Sequence, residues 1–188
     1  MKLGYALTGS FCTVSRSLAT LKELVTTNEV IPILSENVQR TDTRFGSARD
    51  TINVVTELCG RSPLLTITET EVLGPHAPLD ALIIAPCTGN TLAKLANGIT
   101  DTAVLMAAKA HLRCDRPLVI ALATNDALSQ NLQNIAMLLA RKSVYFVPFG
   151  QDDATSKPHS LISDFSLIEK TLDLALLGKQ LQPLFFEY

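Results

Sequence analysis

Two runs in this chain, Asp80–Ala85 (DALIIA) and Pro117–Ala123 (PLVIALA), are apolar at nearly every position. A strand with one face in water alternates polar and apolar residues, whereas a strand without alternation has to be covered on both faces. The runs therefore predict a parallel sheet between two layers of helices, and the neighbouring segments fit that plan. Leu3–Leu7 and Val30–Leu34 read as the first two strands, with Pro32 pointing to an edge or irregular position for the second. Between them, Val14, Leu18, Leu21 and Val25 recur near a helical period. Ser35–Gly46 is polar and reads as a loop, after which Ile52, Val55, Thr56 and Cys59 mark a helix stopped by Gly60. Leu64–Ile67 reads as a short strand. Pro86 is expected to end the DALIIA strand, and helices follow at about Thr91–Ala96 and Thr102–Leu112. A helix around Gln130–Ala140, a strand at Ser143–Val147 and a long helix over Leu161–Leu177 complete the series.

Strand and helix thus alternate along the chain, which predicts an α/β fold: a three-layer, doubly wound parallel sheet, flavodoxin-like or Rossmann-like. At 188 residues the chain is expected to form a single domain over residues 1–188. Charged residues make up only 18% while apolar ones make up 47%, so either part of the surface is covered by further copies of the chain or the core is simply large. The apolar tail, Leu181–Tyr188, contains Leu184, Phe185 and Phe186. It is expected to dock either on its own core or on a neighbouring protomer.

Several classes of function drop out at this point. A net charge of -2 supplies no basic field for nucleic acid. No apolar run approaches the length of a membrane span. Met1–Leu7 reads as a core strand and not as a signal segment, because its apolar stretch ends at Thr8-Gly9-Ser10. Cys12, Cys59, Cys87 and Cys114 are widely spaced and never form CxxC, and the three histidines are scattered, so neither a metal cluster nor a disulfide framework is expected. The expected compartment is a reducing cytoplasm.

In such a sheet, ligands bind beyond the carboxyl ends of the strands where strand order reverses. Three loops are candidates. Thr8-Gly9-Ser10-Phe11-Cys12-Thr13 offers a close backbone approach at Gly9 and hydroxyls at Ser10 and Thr13 for a phosphate, or else forms an ordinary helix cap. Pro86-Cys87-Thr88-Gly89-Asn90-Thr91 crowds donors and acceptors at Thr88, Asn90 and Thr91, more than a turn requires. Ser35, where the second strand ends, belongs to the same candidate set, as do Phe11 and Pro86. Lys94 either reaches a ligand or lies on the surface, and Asp101 is a candidate helix cap. The third loop, Thr124-Asn125-Asp126, offers the Asn125 amide to a substrate or cofactor, with Asp126 as a helix cap. Cys12 and Cys87 read as small buried fillers, since no histidine is locally paired with either.

These residues carry a resemblance. The chain is similar to the homo-oligomeric flavin-containing cysteine decarboxylases, a flavodoxin-like group that binds FMN. The group's G-S-x-(A/S) phosphate turn is matched loosely by Gly9, Ser10 and Cys12. Its P-A-(S/T)-x-N-T segment matches Pro86–Thr91 with Cys87 in place of alanine, and A-K-x-A-x-G-I-x-D matches Ala93-Lys94, Ala96, Gly98-Ile99 and Asp101. The resemblance implies FMN held by Gly9, Ser10, Phe11, Thr13, Ser35, Pro86, Thr88, Asn90 and Thr91. Two features of the decarboxylases are missing. Val38–Gly60 contains no histidine, and of the P-x-M-N-x-x-M-W segment only Asn125 remains.

Within this group the chain resembles the family of dipicolinate synthase B subunits, through Ala6–Thr13, Thr43–Gly46, Ala123–Leu128, Val147–Asp153 and Lys157-Pro158. That resemblance implies a sporulation enzyme of the mother-cell cytoplasm. Together with the dehydrogenase-like A component of dipicolinate synthase, it would oxidise a dihydro- or tetrahydrodipicolinate to dipicolinate, as a homo-oligomer such as a trimer or dodecamer. It leaves open whether the nicotinamide cofactor, NADP, reaches this chain or only the A component. For a flat heterocycle bearing two carboxylates, Arg40 and Arg44 are the expected bidentate partners, with Asn125 assisting in the catalytic position. Flavin-dependent decarboxylation of a cysteine-derived carboxylate, and a cofactor-binding scaffold without catalysis, are the alternative functions.

Overall fold

The computed structural model describes residues 1–186. Strands β1 (Lys2–Leu7), β2 (Glu29–Leu34), β3 (Ala81–Cys87), β4 (Leu118–Thr124) and β5 (Val144–Phe146) run parallel in the order β2-β1-β3-β4-β5. After β2 the chain crosses back to the other side of β1, so strand order reverses between β1 and β3. Pro32 lies on the edge strand, as expected, and its carbonyl accepts a hydrogen bond from the Leu64 amide at 2.8 Å.

Successive strand residues point to opposite faces, and both faces are covered. On one, Leu3, Tyr5, Ile83 and Val119 pack with Leu21 of α1 (Val14–Leu24), Val55 of α3 (Ala48–Cys59) and Leu172 of α8 (Ile168–Leu176). On the other, Ala6, Ile84 and Ile120 pack with Leu92 of α5 (Gly89–Ala96), Ala107 of α6 (Ala103–Leu112) and Leu138 of α7 (Leu132–Leu139). This double covering explains why β3 and β4 carry no polar alternation.

Four segments differ from the sequence reading. The loop Ser35–Gly46 contains a short helix, α2 (Glu36–Arg40). Leu64 makes only an isolated bridge to Ile33, and Ile67 opens α4 (Ile67–Thr70), because Thr66 and Glu69 form a reciprocal capping box that starts a helix there. Pro86 does not end β3; the strand runs on to Cys87 through a register shift between Ile84 and Cys87. The long helix expected from Leu161 begins only at Ile168. Leu161–Ser163 is a strand, β7, antiparallel to the end of β4 and to β6 (Phe149–Gly150). Asp164, whose carboxylate accepts from the Ser166 amide at 3.0 Å, separates strand from helix.

β4 therefore changes partner along one edge, from β5 to β7. Ser163 fills the junction: its hydroxyl accepts from the Leu122 amide at 2.8 Å and donates to the Val147 carbonyl at 3.1 Å. The tail docks on its own sheet, with the Phe149 amide donating to the Leu184 carbonyl at 3.0 Å and the Phe185 ring edge-on to Phe149 at 5.1 Å. Glu187 and Tyr188 lie outside the described residues. No helix among the described residues is long and apolar enough to cross a membrane.

His111 lies wholly buried near the end of α6, with Nε2 2.9 Å from the Pro117 carbonyl and Nδ1 without a partner. Nε2–H is thus the donor, and protonation would add a buried charge and a second N–H with no acceptor among the described residues. Burial is the main cause that lowers the His111 pKa, partly opposed by the Pro117 hydrogen bond. The folded chain therefore binds fewer protons here than the unfolded chain. The stabilisation is complete above the unfolded value of about 6.5 and is lost as pH falls through the lowered folded value. Urea denaturation across this range is expected to show declining stability, with a flatter decline for His111→Gln.

Candidate functional site

The site begins at a break in the ladder. β1 and β3 pair only as far as Ala6 and Ile84, and Pro86 has no amide hydrogen to offer. Thr8, buried just beyond β1, closes the gap by donating its hydroxyl to the Pro86 carbonyl at 2.7 Å and accepting from the Thr88 amide at 3.0 Å. One residue pair deeper, the Ser17 hydroxyl of α1 donates to the Ala85 carbonyl at 2.5 Å, and Tyr5 bonds Ser17 in turn at 2.9 Å. The carboxyl ends of β1 and β3 are thus fixed to each other and to α1.

Above this floor opens a recess of about 120 Å³, lined by residues from the ends of three strands and the starts of the helices that follow. Thr8 and Gly9 follow β1, Ser35 and Asn37 follow β2, with Asn37 in α2, and Thr88, Asn90 and Thr91 follow β3, the last two in α5. Thr88 caps α5 by accepting from the Thr91 amide at 3.2 Å, and its own proton goes to Thr91 Oγ1 at 3.0 Å. The Thr91 hydroxyl proton is left uncommitted. Ser35 Oγ is buried and has no hydrogen-bond partner among the described residues. A buried hydroxyl without a partner is costly, and this one lines a cavity at the reversal of strand order. Thr102, the cap of α6, adds a second helix N-terminus to the same wall.

Two lining residues carry opposite charge. Lys94 pairs with Asp101 at 2.7 Å and is only about a quarter exposed, while Glu36 stands exposed at the rim. Asp101 is therefore not the cap of α6; Thr102 is. Lys94, read from the sequence as reaching a ligand or lying on the surface, lines the recess; Asn37 and Thr102 join it only through the fold. Their spacing alone gives no signal.

Of the residues singled out from the sequence, Gly9, Ser35, Thr88, Asn90 and Thr91 come together in the recess. Thr13 does not: it is buried, and its hydroxyl donates to the Ser10 carbonyl at 2.8 Å, which completes the turn into α1. Ser10 and Pro86 flank the recess without lining it, and Phe11 lines a separate cavity on the other side of the turn. Arg40, Arg44 and Asn125 are all exposed and outside the recess. Cys87 is buried, and burial pushes its thiol pKa up, which fits a filler and not a nucleophile. Cys12 is exposed, contrary to expectation.

Asp126 is likewise no helix cap. Its carboxylate accepts from Thr124 at 2.5 Å and from Asn131 at 2.9 Å, and Asn131 accepts from Asn134 at 2.9 Å. Gly89 rests directly on this network. A Cβ there would lie 2.5 Å from Thr124 Oγ1 and 2.7 Å from Asp126 Oδ1, so only glycine lets α5 start where it does.

A flavodoxin-like parallel sheet with a hydroxyl- and amide-lined recess at the strand-order reversal places that recess where doubly wound α/β folds take their ligands. Residues 1–167 match the Flavoprotein family, and the chain belongs to that family. It is similar to the B component of dipicolinate synthase from Bacillus subtilis, at 43% identity over 187 residues, covering 99% of this chain and 94% of that one. The crystal structure of the corresponding dipicolinate synthase component from Bacillus halodurans has a TM-score of 0.91 at 42% identity, covering 99% of this chain and 96% of that one. A dodecameric FMN-dependent UbiX-like decarboxylase from Escherichia coli is more distant, with a TM-score of 0.64 at 28% identity over 79% of this chain and 80% of that one.

Thr8 is the residue on which this geometry turns. Thr8→Val keeps the shape but strands the Pro86 carbonyl and the Thr88 amide. The expected cost is about 2–3 kcal/mol in urea denaturation, with Thr8→Ser close to the parent.

Proposed function

We propose that this chain is the B component of a dipicolinate synthase and holds FMN at the recess formed by β1, β2 and β3. The unpartnered Ser35 hydroxyl carries the cofactor reading. It supplies a buried donor facing the recess, beside the uncommitted proton of Thr91 and the capped starts of α5 and α6. This donor set fits a phosphorylated, polar-edged ligand. The recess is smaller than the roughly 300 Å³ at which pockets for drug-sized ligands begin, so one end of the nucleotide would be enclosed and the rest would lie along the open rim.

When bound, FMN supplies two-electron redox chemistry that the side chains lack. The chain's own part is to bind and orient. Ser35, Thr91 and Asn90 donate to the ligand, Thr88 and Thr8 hold the backbone beneath it, and Lys94 keeps a positive charge on the wall against Asp101. The substrate on this reading is a dihydro- or tetrahydrodipicolinate. The A component completes the enzyme and brings the nicotinamide cofactor, NADP. The low charge content and the open rim favour a homo-oligomer, a trimer or dodecamer, in the cytoplasm of the mother cell. Decarboxylation of a cysteine-derived carboxylate is disfavoured because α3 and the loop before it contain no histidine.

Titrating the purified chain with FMN, followed by flavin absorbance and fluorescence, tests the cofactor. Binding is expected, and Ser35→Ala or Thr91→Val should each weaken it by roughly ten-fold, the scale of one buried hydrogen bond. A chain that binds no flavin overturns the cofactor assignment. Mixing with the A component then tests the reaction: dipicolinate should form only when both chains are present.

A further inference from the structure

A further cavity, of about 290 Å³, shares no lining residue with the recess. It lies between the second half of α6 and the segment that follows α4. There the short helical turn Glu71–Leu73 continues α4, and the Ala77 amide closes it by donating to the Val72 carbonyl at 2.8 Å. Gly74 then rests on the Ala110 carbonyl so closely that a side chain would collide with the backbone of α6. The Arg113 side chain passes the same point, with Nε 3.4 Å from the position a Gly74 β-carbon would take. Turn and helix are thus in backbone contact, and that contact fixes the spacing of the cavity walls.

The charges in this lining are uneven. Lys109 and Arg113 stand one turn apart on α6, His76 comes from the turn, and all three are exposed. None of them has a carboxylate partner among the described residues, although Glu71 lines the same cavity. Like charges four residues apart on a helix repel each other, so this unpaired couple weakens α6. The partial negative charge at the carboxyl end of a helix offsets part of that repulsion, but it does not account for His76 on a different element. An anion seated among the three turns the repulsion into attraction. A guanidinium, an ammonium and an imidazole brought together from two elements suit a tetrahedral oxyanion, whose acceptors point in several directions. Val72 and Met106 add apolar surface to the same lining, which has nothing to offer a bare, hydrated anion but suits a short aliphatic group.

We infer that this cavity binds a phosphomonoester, with the phosphate among His76, Lys109 and Arg113 and an aliphatic substituent on Val72 and Met106. The inference goes beyond the proposed function: it concerns a separate site and holds whether or not the recess takes FMN.

Calorimetric titration of the native assembly with butyl phosphate, at constant ionic strength, tests it. Saturable binding is expected, several-fold tighter than that of inorganic phosphate. Arg113→Gln and Lys109→Gln should each weaken it roughly ten-fold, the scale of one charge-assisted hydrogen bond. Glu71→Gln should tighten it, because that change removes the one carboxylate from the lining. Lys22→Gln, an equal loss of charge on α1 across the sheet, should leave it unchanged. All four side chains are exposed, so the core is untouched, and circular dichroism with a melting curve verifies that each variant is folded. Absence of saturable binding overturns the inference. So does an equal effect of all three cation variants, which describes only diffuse attraction to positive charge, or binding that Glu71→Gln fails to tighten. Equal affinity for butyl phosphate and inorganic phosphate overturns the ester. The two sites are separated by crossing the variants: Arg113→Gln should bind FMN as the parent does, and Ser35→Ala should bind butyl phosphate as the parent does. Loss of butyl phosphate binding in Ser35→Ala puts that ligand in the recess and overturns the inference, whereas a parent that binds butyl phosphate but not FMN sinks the cofactor reading alone.

Discussion

A proline near the end of an inner strand is a liability, because it removes a ladder donor from a sheet with no water to replace it. Pro86 occupies such a position in β3, flanked by β1 and β4. The structure compensates with side chains. Thr8 takes the Pro86 carbonyl and the Thr88 amide, and Ser17 takes the Ala85 carbonyl. Every polar atom drawn into this repair is buried or nearly so, which gives the hydroxyls little freedom. The splayed strand ends are held open at a fixed width, and that opening is the recess.

A second set of buried polar groups fixes the same helix from the other side. Thr124, Asp126, Asn131 and Asn134 form a chain of hydrogen bonds that ends at Asn97, the residue after α5, at 3.4 Å. Gly89 sits on the near end of this chain, so α5 is held at its start and at its finish. Thr8 ties that start to β1. The first turn of α5, which carries Asn90 and Thr91, is therefore immobilised by interactions with β1, β4 and α7 at once. A site whose donors are held in place before the ligand arrives loses less entropy on binding.

Legibility in the sequence followed the range of the interactions. β3 and β4 could be read because burial on both faces erases the polar alternation, a property local to each run. β6 and β7, of two and three residues, could not. An apolar run that short has no period, and Leu161–Ser163 merged with the helix behind it. At the site, Thr88, Asn90 and Thr91 were legible through their density, which exceeds what a cap needs. Thr13 stands outside the recess for the opposite reason: its hydroxyl turns back to Ser10, and nothing in the residue type shows which acceptor it takes. Asn37 and Thr102 join the recess through the packing of α2 and the start of α6, so their role depends on tertiary distance. The arginines of the 35–46 segment were legible as a pair of cations but not in their placement, because α2 and the closed turn at 43–46 carry them away from the recess.

The Gly9–Phe11 turn divides two environments that a single pocket could not combine. On the Gly9 side the walls are hydroxyls, amides and helix starts, which favour a ligand's anionic or hydrogen-bonding end. On the Phe11 side they are aliphatic and aromatic, which favour a ring. Gly9 keeps the partition thin: a Cβ there would lie 3.3 Å from Asn37 Cβ and 3.5 Å from the Phe11 ring, tighter than a relaxed contact on the Asn37 side. Neither cavity alone encloses a nucleotide, and both open to the surface of a chain that is poor in charge. A neighbouring copy laid across this rim would bury the remainder of a bound flavin without having to desolvate many charges. The composition and the shallow site thus have one physical explanation in the proposed assembly.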